Sequence, residues 1–453
     1  MASEETRAVK PTAARVPPAE GPLPPAPRAW AVRLVVVGIV LSAFNLRPAI
    51  TSLGALLEEV RDGLGMSGSV AGLLTSVPPL CFAVFGVTAP RLARRFGAGA
   101  VVCAGMVAIT TGLLIRPYTG STPGFLAASA LALMGIAVSN VLMPVIVKRW
   151  FPDRVGSMTG LYSMALALGT SAAAAVTVPL TDALGGSWQS GLAVWAALAG
   201  AAVLPWIPLV RDKGPGSAAG SVHARVEGAG PVQHVHARVE GAGPVQHVHP
   251  RVEPPALRIT RSRTAWALAV FFGLQATAAY ITMGWMAQIF RDAGVPAGTA
   301  GLLLAVTMVM GVPLAFVIPR VATRLPHQGP IVLALGVCGL AGYAGLYLAP
   351  AAGAWAWAVL LGVSNCAFPL ALTMVGMRAR TGAGVAQLSA FAQSTGYLIS
   401  IPGPLLVGVL YQHSGGWGLP IALMIGLMIP QMAVGVLAGR DRTVEDEAAA
   451  AAP

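Results

Sequence analysis

Long apolar stretches separated by short polar segments dominate this chain of 453 residues. An α-helix needs about 20 apolar residues to cross the hydrocarbon core of a bilayer. Twelve stretches reach about that length, at residues 30–57, 69–89, 98–115, 122–147, 155–181, 190–210, 264–290, 299–319, 330–349, 351–377, 384–411 and 416–438. The pattern predicts an all-α polytopic membrane protein with twelve transmembrane helices.

The composition supports the bilayer as the surrounding medium. Hydrophobic residues make up 55% of the chain and charged residues 10%, with a mean hydropathy of +0.72. A soluble protein normally carries about 25% charged residues. We therefore expect the lipid bilayer to be the main partner of the protein surface.

The net charge of +12 is distributed unevenly along this topology. Twenty-five of the 29 Lys and Arg residues fall on the side of the N-terminus, whereas Arg61, Arg116 and Arg291 fall in segments on the opposite side and Arg47 lies within the membrane. Positive residues accumulate on the cytoplasmic side of membrane proteins. The charge pattern thus predicts an inner-membrane protein with both termini in the cytoplasm, and it provides no basic and aromatic patch for nucleic acid.

The second half of the chain repeats the first. Short motifs recur in the same order at an offset of 229 to 230 residues in the first part of each half and of 225 in the last: Arg61-Asp62 as Arg291-Asp292, Ala71 to Leu74 as Ala300 to Leu303, and Ser139-Asn140 with Pro144 as Ser364-Asn365 with Pro369. This order predicts two six-helix bundles related by a pseudo-two-fold axis along the membrane normal, as parallel repeats.

Five regions follow from this repeat. We expect a disordered cytoplasmic tail at residues 1–29, a bundle at 30–210, a cytoplasmic low-complexity linker at 211–263, a second bundle at 264–438 and a disordered tail at 439–453. The linker contains a tandem thirteen-residue repeat, starting at His223 and His236, and five of the seven histidines. A His-rich tract can bind metal, but duplicated low-complexity sequence explains it as well, and we expect neither a metal nor a cofactor.

Three segments resemble a known family. They are the run from Asn45 to Ser52 (Asn-Leu-Arg-Pro-Ala-Ile-Thr-Ser), the run from Ala71 to Thr75, and the basic run from Ala89 to Gly97. With the two six-helix repeats they resemble the major facilitator superfamily and, within it, the cyanate and 2-nitroimidazole transporter (CynX/NimT) family. The resemblance implies a secondary transporter with alternating access, whose central cavity is lined by helices 1, 4, 7 and 10.

The basic run from Ala89 to Gly97 departs from the superfamily motif in one respect. The usual motif carries an acidic residue where this chain has Pro90 or Arg94, so the gating ion pair of the family is not supplied here. The basic residues are present in both halves, and we predict that they serve at the gate. They are Arg91, Arg94, Arg95, Arg320 and Arg324.

Carboxamides inside the membrane form a symmetric set. The three asparagines of the chain are Asn45, Asn140 and Asn365, and the repeat places Gln275 opposite Asn45. One amide therefore falls on each of helices 1, 4, 7 and 10. Amides both donate and accept hydrogen bonds, which suits a small polar solute. Intramembrane amides also join helices to one another, and the sequence does not separate these roles.

Arg47 is the basic residue that lies deep in an apolar run, fourteen residues or about 21 Å after Arg33. Pro48 predicts a kink at this position. A guanidinium fork suits a carboxylate, a cyanate or a nitro group, so we predict substrate binding; holding helix carbonyls at the kink is the alternative. Secondary cavity candidates are Tyr162, Ser163, Tyr280, Gln288 and Gln393.

These observations predict a carrier for a small anionic or polar small-molecule substrate, acting as a monomer. A drug or metabolite efflux carrier of the same fold is the first alternative, and a membrane sensor or scaffold is the second. We do not expect an enzyme, because the helices contain no paired acids, metal motif or activated nucleophile. No acid or histidine lies at mid-membrane, so a dedicated proton relay is missing.

Overall fold

The computed structural model describes residues 29–210 and 259–450. Within them, twelve helices are long and apolar enough to span a membrane, which confirms the predicted fold class. They are α1 Ala29–Ala55, α2 Gly68–Phe96, α3 Ala98–Tyr118, α4 Thr122–Trp150, α5 Ser157–Ala183, α6 Trp188–Trp206, α7 Arg263–Asp292, α8 Ala297–Ala322, α9 Gly329–Leu348, α10 Ala354–Met377, α11 Gly384–Ser414 and α12 Gly418–Ala438.

Within each half, short connections join successive helices, so neighbours along the chain run in opposite directions and their ends form two faces. We call the face at which α1 and α7 begin and α6 and α12 end the linker face, and the other the far face. The expected N-terminal tail and most of the linker, including its repeat, lie outside the described residues. Beyond α1, a short helix at Leu57–Leu64 lies at the far face.

Several helices that surround the centre are interrupted. In α1, the helix Ala29–Asn45 ends and Pro48–Ala55 begins after a break at Arg47. Pro48 has no N–H group, so the carbonyl of Phe44 loses its helical donor. That carbonyl packs against Gly169 of α5, where a Cβ atom has no room. The predicted kink is thus present, and it brings α1 and α5 into close contact.

The basic runs are helical rather than looped. Helix α2 continues through Pro90 to Phe96, and α8 continues through Pro319 to Ala322. The predicted apolar runs ended earlier because hydropathy marks the hydrocarbon boundary, whereas the backbone hydrogen bonds continue beyond it.

The C-terminal region corrects the expectation of a disordered tail at 439–453. Residues Val444–Ala450 form a helix, α13. Two of its carboxylates accept hydrogen bonds at the starts of other helices: Glu447 from the hydroxyls of Ser262 and Thr264 at 2.6 and 2.7 Å, and Glu445 from the backbone N–H of Thr381 at 3.2 Å. Helix N-termini attract negative charge, and this attraction fixes an acidic segment that its composition alone marks as disordered.

Candidate functional site

A cavity of about 380 Å³ lies between the two halves. Residues of α5, α7, α8 and α10 form most of its wall, and α1 and α11 each contribute one residue. The polar side chains in the wall are Arg47, Ser163, Thr170, Gln275, Tyr280, Thr307, Asn365, Thr373 and Tyr397. Helices 1, 7 and 10 therefore line the cavity as the resemblance implies, but α5 takes the place expected for α4.

The cavity extends toward the linker face. Its wall includes Pro319, which lies within one turn of the end of α8, and Leu372, which is 38% exposed near the end of α10. In the other direction the wall does not extend beyond Met283 on α7, nine residues short of Asp292. Access in this conformation is thus from the linker face.

Close backbone packing closes the far face. Gly54 of α1 packs on the carbonyl of Met283, and Gly72 of α2 packs on the backbone of Leu405 in α11, both without room for a Cβ atom. The indole N–H of Trp285 donates to the Thr75 hydroxyl at 3.2 Å across the same interface. These contacts join the halves and separate the cavity from the far face.

Charged groups reinforce this closure at the surface. The guanidinium of Arg291 forms salt bridges with Glu58 at 2.8 Å and Glu59 at 2.9 Å, both from the first half. Its repeat counterpart, Arg61, lies over the ring of Tyr411 at 5.6 Å. The paired motif Arg-Asp therefore contributes a cross-half contact from each half.

Arg47 lies at the break in α1 and reaches the cavity. Its guanidinium lies 5.7 Å from the centre of the Phe82 ring, and the phenol groups of Tyr162, Tyr280 and Tyr397 are close to it. None of the acidic residues that the structure describes forms a salt bridge with Arg47. A buried cation without an acid partner attracts an anion strongly, because the low-dielectric surroundings screen it poorly.

Aromatic rings continue the wall beside this cation. Phe82 stacks on Tyr397 with ring centres 5.1 Å apart, and Phe272 contacts both Tyr397 and Phe368 at 5.2 and 5.8 Å. Tyr397 and Phe368 face the cavity. A planar ring can stack on such a wall while a charged substituent meets the guanidinium.

Two of the predicted amides lie in the cavity wall with unused hydrogen-bonding capacity. Gln275 is 3% exposed and its Oε1 atom accepts no hydrogen bond from the described residues, and the Nδ2 atom of Asn365 donates none to them. An unpaired buried polar group costs about 1–3 kcal/mol. These amides are therefore suited to bind a polar group of a solute.

The other predicted amides lie elsewhere. Asn45 is 1% exposed and donates to the carbonyls of Leu41 and Leu198 at 2.8 and 3.2 Å, so it joins α1 to α6. Asn140 accepts a hydrogen bond from Tyr162. Neither asparagine is in the cavity wall, and the helix-joining alternative describes Asn45 better.

Three secondary candidates are also absent from the cavity wall. Tyr162 lies close to Arg47 and donates to Asn140. Gln288 donates to Asp292 at 2.7 Å near the far face, and Gln393 donates to Ser389 at 2.7 Å on α11. The predicted gate arginines lie at the linker-face ends of α2 and α8, and all five are exposed: Arg91, Arg94, Arg95, Arg320 and Arg324.

Arg116, which the sequence places in a segment on the far side, lies at the far-face end of α3 and is buried there. It is 2% exposed and its guanidinium donates to the carbonyl of Ala49 at 3.0 Å. Sequence reasoning also missed Tyr397, Phe368 and Phe82. The available signal was the scarcity of tyrosine, since three of only seven tyrosines surround Arg47.

Comparison with known proteins defines the class. A model of the Major Facilitator Superfamily matches residues 35–404, and the chain belongs to this superfamily. Solved structures agree on the fold: the nucleoside transporter NupG has a TM-score of 0.66 at 14% identity, covering 90% of this chain and 99% of that one. The inward-open xylose transporter XylE of Escherichia coli has a TM-score of 0.65 at 11% identity, covering 92% and 99%.

Full-length relatives confirm the narrower resemblance. The chain is 33% identical over 418 residues to the uncharacterised transporter YycB of Bacillus subtilis, covering 90% of this chain and 94% of the relative. It is 30% identical over 413 residues to the 2-nitroimidazole transporter of Escherichia coli, covering 91% and 96%. It is 28% identical over 396 residues to the cyanate transport protein CynX of the same bacterium, covering 86% and 94%.

Proposed function

We propose that this protein is a secondary transporter that moves a small anionic or polar solute across the bacterial inner membrane by alternating access. The observation that carries the proposal is the Arg47 guanidinium, which lies in the cavity wall without a carboxylate partner among the described residues. The linker face, with its exposed arginines, is the cytoplasmic face in this proposal.

The cavity favours a planar ring with one charged or polarised substituent. The cavity volume of about 380 Å³ is in the range of sites that enclose drug-sized molecules. This volume is far larger than a triatomic anion requires. The ring would stack on Tyr397 and Phe368, while Arg47 binds a carboxylate or nitro group as a fork. Gln275 and Asn365 would bind further polar atoms. The name of one relative mentions 2-nitroimidazole, which belongs to this class, whereas cyanate in the name of another shares only the negative charge that Arg47 would bind.

The experiment measures solute flux in proteoliposomes across a panel of nitroheterocycles, aromatic carboxylates and cyanate. We expect Arg47→Ala to reduce transport of the accepted solute by about 100-fold or more, because it removes a charge-assisted partner in a buried site. Arg47→Lys should retain part of the transport, because it keeps the charge but loses the fork. Unchanged transport and half-saturation in both variants would refute the role of Arg47.

An efflux carrier for apolar compounds is the second candidate, and the aliphatic part of the wall favours it. Leu166, Met283, Met308 and Leu372 all line the cavity, and flexible methionine side chains adapt to varied ligands. This function predicts that neutral apolar compounds are transported and that Arg47→Ala retains that transport. The same panel therefore separates the two candidates.

A further inference from the structure

Arg116 is a buried cation on the far-face side of Arg47, which is half-buried in the wall of the central cavity. Its guanidinium donates to the carbonyl of Ala49 at 3.0 Å and to the hydroxyl of Ser52 at 3.5 Å, and it lies over the ring of Phe125 at 5.9 Å. Its Nε atom has no acceptor, and none of the described acids forms a salt bridge with it. An uncompensated charge at such a position is costly and is usually functional.

A small separate cavity adjoins this guanidinium. Its volume is about 10 Å³, room for about one water molecule. The wall includes the Ser129 hydroxyl, which is 1% exposed and forms no hydrogen bond with the described residues, and the Tyr280 side chain, whose phenol lies close to Arg47. Two polar side chains with unused capacity thus meet at this cavity: cationic Arg116, at its Nε atom, and Ser129, at its hydroxyl.

The position of this cavity connects it with the transport route. Tyr280 lines both the small cavity and the central one. The carbonyl and hydroxyl that hold Arg116 belong to Ala49 and Ser52, two and five residues beyond Arg47 on α1, which is about 3 to 8 Å along a helix. The two guanidinium groups are therefore arranged in sequence from the centre toward the far face.

The small cavity also lies at the interface that has to open. Gly54, Thr75 and Gly284 are in its wall, and the same residues make the close contacts between the halves. Separation of the halves at the far face would enlarge this cavity, because its opposite walls belong to different halves. The cavity is small in this conformation because the two halves are in contact at the far face.

We propose that Arg116 and Ser129 form a second anion-binding site, which takes the charged group of the solute from Arg47 when the protein opens to the far face. The inference rests on the proposed function, since it assumes an anionic or polarised solute. The ligand class is a carboxylate, nitro group or similar planar acceptor, which suits a guanidinium and a neighbouring hydroxyl.

The alternative role for Arg116 is mechanical, because its hydrogen bonds to Ala49 and Ser52 join α3 to α1. Arg116→Gln removes the charge and is too short to span both acceptors, so Arg116→Lys, which keeps the charge but cannot bridge Ala49 and Ser52 as a fork, separates the two roles. Ser129→Ala gives a further variant that removes no hydrogen bond. Its matched control is Ser139→Ala on the same helix: Ser139 is also buried, its hydroxyl is also without a partner, and it packs on Gly105 outside the walls of both cavities.

The first measurement is the half-saturation concentration for benzoate on each face of oriented proteoliposomes, with the opposite face saturated. We expect Arg116→Gln to raise the far-face value by about tenfold or more and the linker-face value by less than about twofold. Ser129→Ala should raise the far-face value by about threefold, and Ser139→Ala should leave it unchanged. Equal far-face values in wild type and Arg116→Gln would overturn the second site.

The second measurement does not depend on transport. It is thermal stabilisation of the purified protein by benzoate in wild type, Arg47→Gln, and Arg47→Gln combined with Arg116→Gln. We expect reduced stabilisation in the single variant and none in the double variant. Complete loss in the single variant overturns the second site alone. If benzoate neither stabilises the wild-type protein nor is transported by it, the anionic substrate class on which both proposals rest is overturned.

Discussion

The two halves of the repeat use equivalent positions differently. Asn45 and Gln275 are equivalent by sequence, and so are Arg47 and Thr277. In the first half Arg47 reaches the cavity while Asn45 binds the carbonyl of Leu198. In the second half Gln275 lines the cavity while Thr277 donates to the carbonyl of Gly273 within its own helix. The position that faces the cavity is thus shifted by two residues between the halves.

This shift has a geometric consequence. Residues two apart on an α-helix are rotated by about 200° around the helix axis and therefore point to nearly opposite sides. A helix thus presents only one of the two side chains to the cavity. The break at Arg47 sets this choice in α1, whereas α7 continues as one helix through Gln275 and Thr277. The first half consequently contributes the charge to the wall, and the second half contributes the amides.

The largest effect that can test this contrast is expected at the amides. Gln275→Ala and Asn365→Ala should each raise the half-saturation concentration for the transported solute by about tenfold, since a lost hydrogen bond in a buried site costs about 1–2 kcal/mol. Asn45→Ala should leave it within about twofold and lower thermal stability instead, by about 0.6 kcal/mol. Flux measurements and thermal unfolding of the same preparations check both.

The converse result would remove the contrast between the halves. If Asn45→Ala raises the half-saturation concentration as much as Gln275→Ala does, both equivalent positions contact the solute at some stage of transport. The assignment of Asn45 to helix joining would then be wrong.

The next effect concerns the closed far face, where Arg291 and Arg61 are also equivalent. Arg291 forms two salt bridges across the halves and Arg61 forms one cation–π contact. Partly exposed ion pairs contribute up to about 1 kcal/mol each. Arg291→Gln should therefore increase far-face opening by about threefold to tenfold, and Arg61→Gln by less than about threefold.

Labelling measures this opening. A Thr75→Cys variant, with the four native cysteines replaced by serine, places a thiol at the contact with Trp285 and Gly284 that closes the far face. A membrane-impermeant thiol reagent added at the far face should label it faster when Arg291 is replaced. Equal labelling rates in the Arg291 and Arg61 variants would show that the two ends of the repeat contribute equally to closure.

The sequence predicts the fold to a large extent because the bilayer imposes helix length and the repeat imposes topology. The spans and the break at Pro48 follow from local composition, and the two halves follow from the repeated motifs. Arg47, Gln275 and Asn365 were also predicted as cavity residues, because polar groups in hydrocarbon are costly wherever they lie.

The remaining features depend on contacts between distant segments. The break at Arg47, together with packing of α1 against α5 and α6, decides whether Asn45 or Arg47 faces the cavity. Arg116 falls just beyond an apolar run in the sequence, and hydropathy does not indicate that it is buried or that α1 offers a carbonyl to it. The partners of Glu445 and Glu447 lie 64 and more residues earlier in the chain, so composition predicted disorder for a segment that is helical.

The smallest expected effect concerns how each half ends. At the end of α6, Trp206 is 1% exposed and its indole N–H donates to Ser42 at 2.9 Å, so the end of the first half is held by an uncharged contact. The end of the second half is held by the carboxylates of Glu445 and Glu447. Only the second attachment should depend on pH.

The sign follows from the pKa of Glu447. Partial burial alone would raise this pKa, but hydrogen bonds from Ser262 and Thr264 outweigh burial and hold it below the usual value of 4.5. A carboxyl group with a lowered native pKa stabilises the folded state fully above its unfolded pKa, and this contribution is lost as the pH falls through the native pKa. The attachment of α13 should therefore weaken as the pH falls below about 4.5 and be lost as the pH falls through the lower native pKa of Glu447, whereas the Trp206 contact should persist.

Spin labels at Ala449→Cys and, as a control near Trp206, at Ile207→Cys measure the two attachments separately, since both positions are exposed. Acid should increase label mobility at 449 and not at 207. Glu447→Gln should give the mobile signal at 449 already at neutral pH, at a cost of about 1 kcal/mol or less in stability. Mobility that rises equally at both positions would show that acid loosens the whole linker face, so that the two halves end in the same way and carboxylate capping is not what distinguishes them.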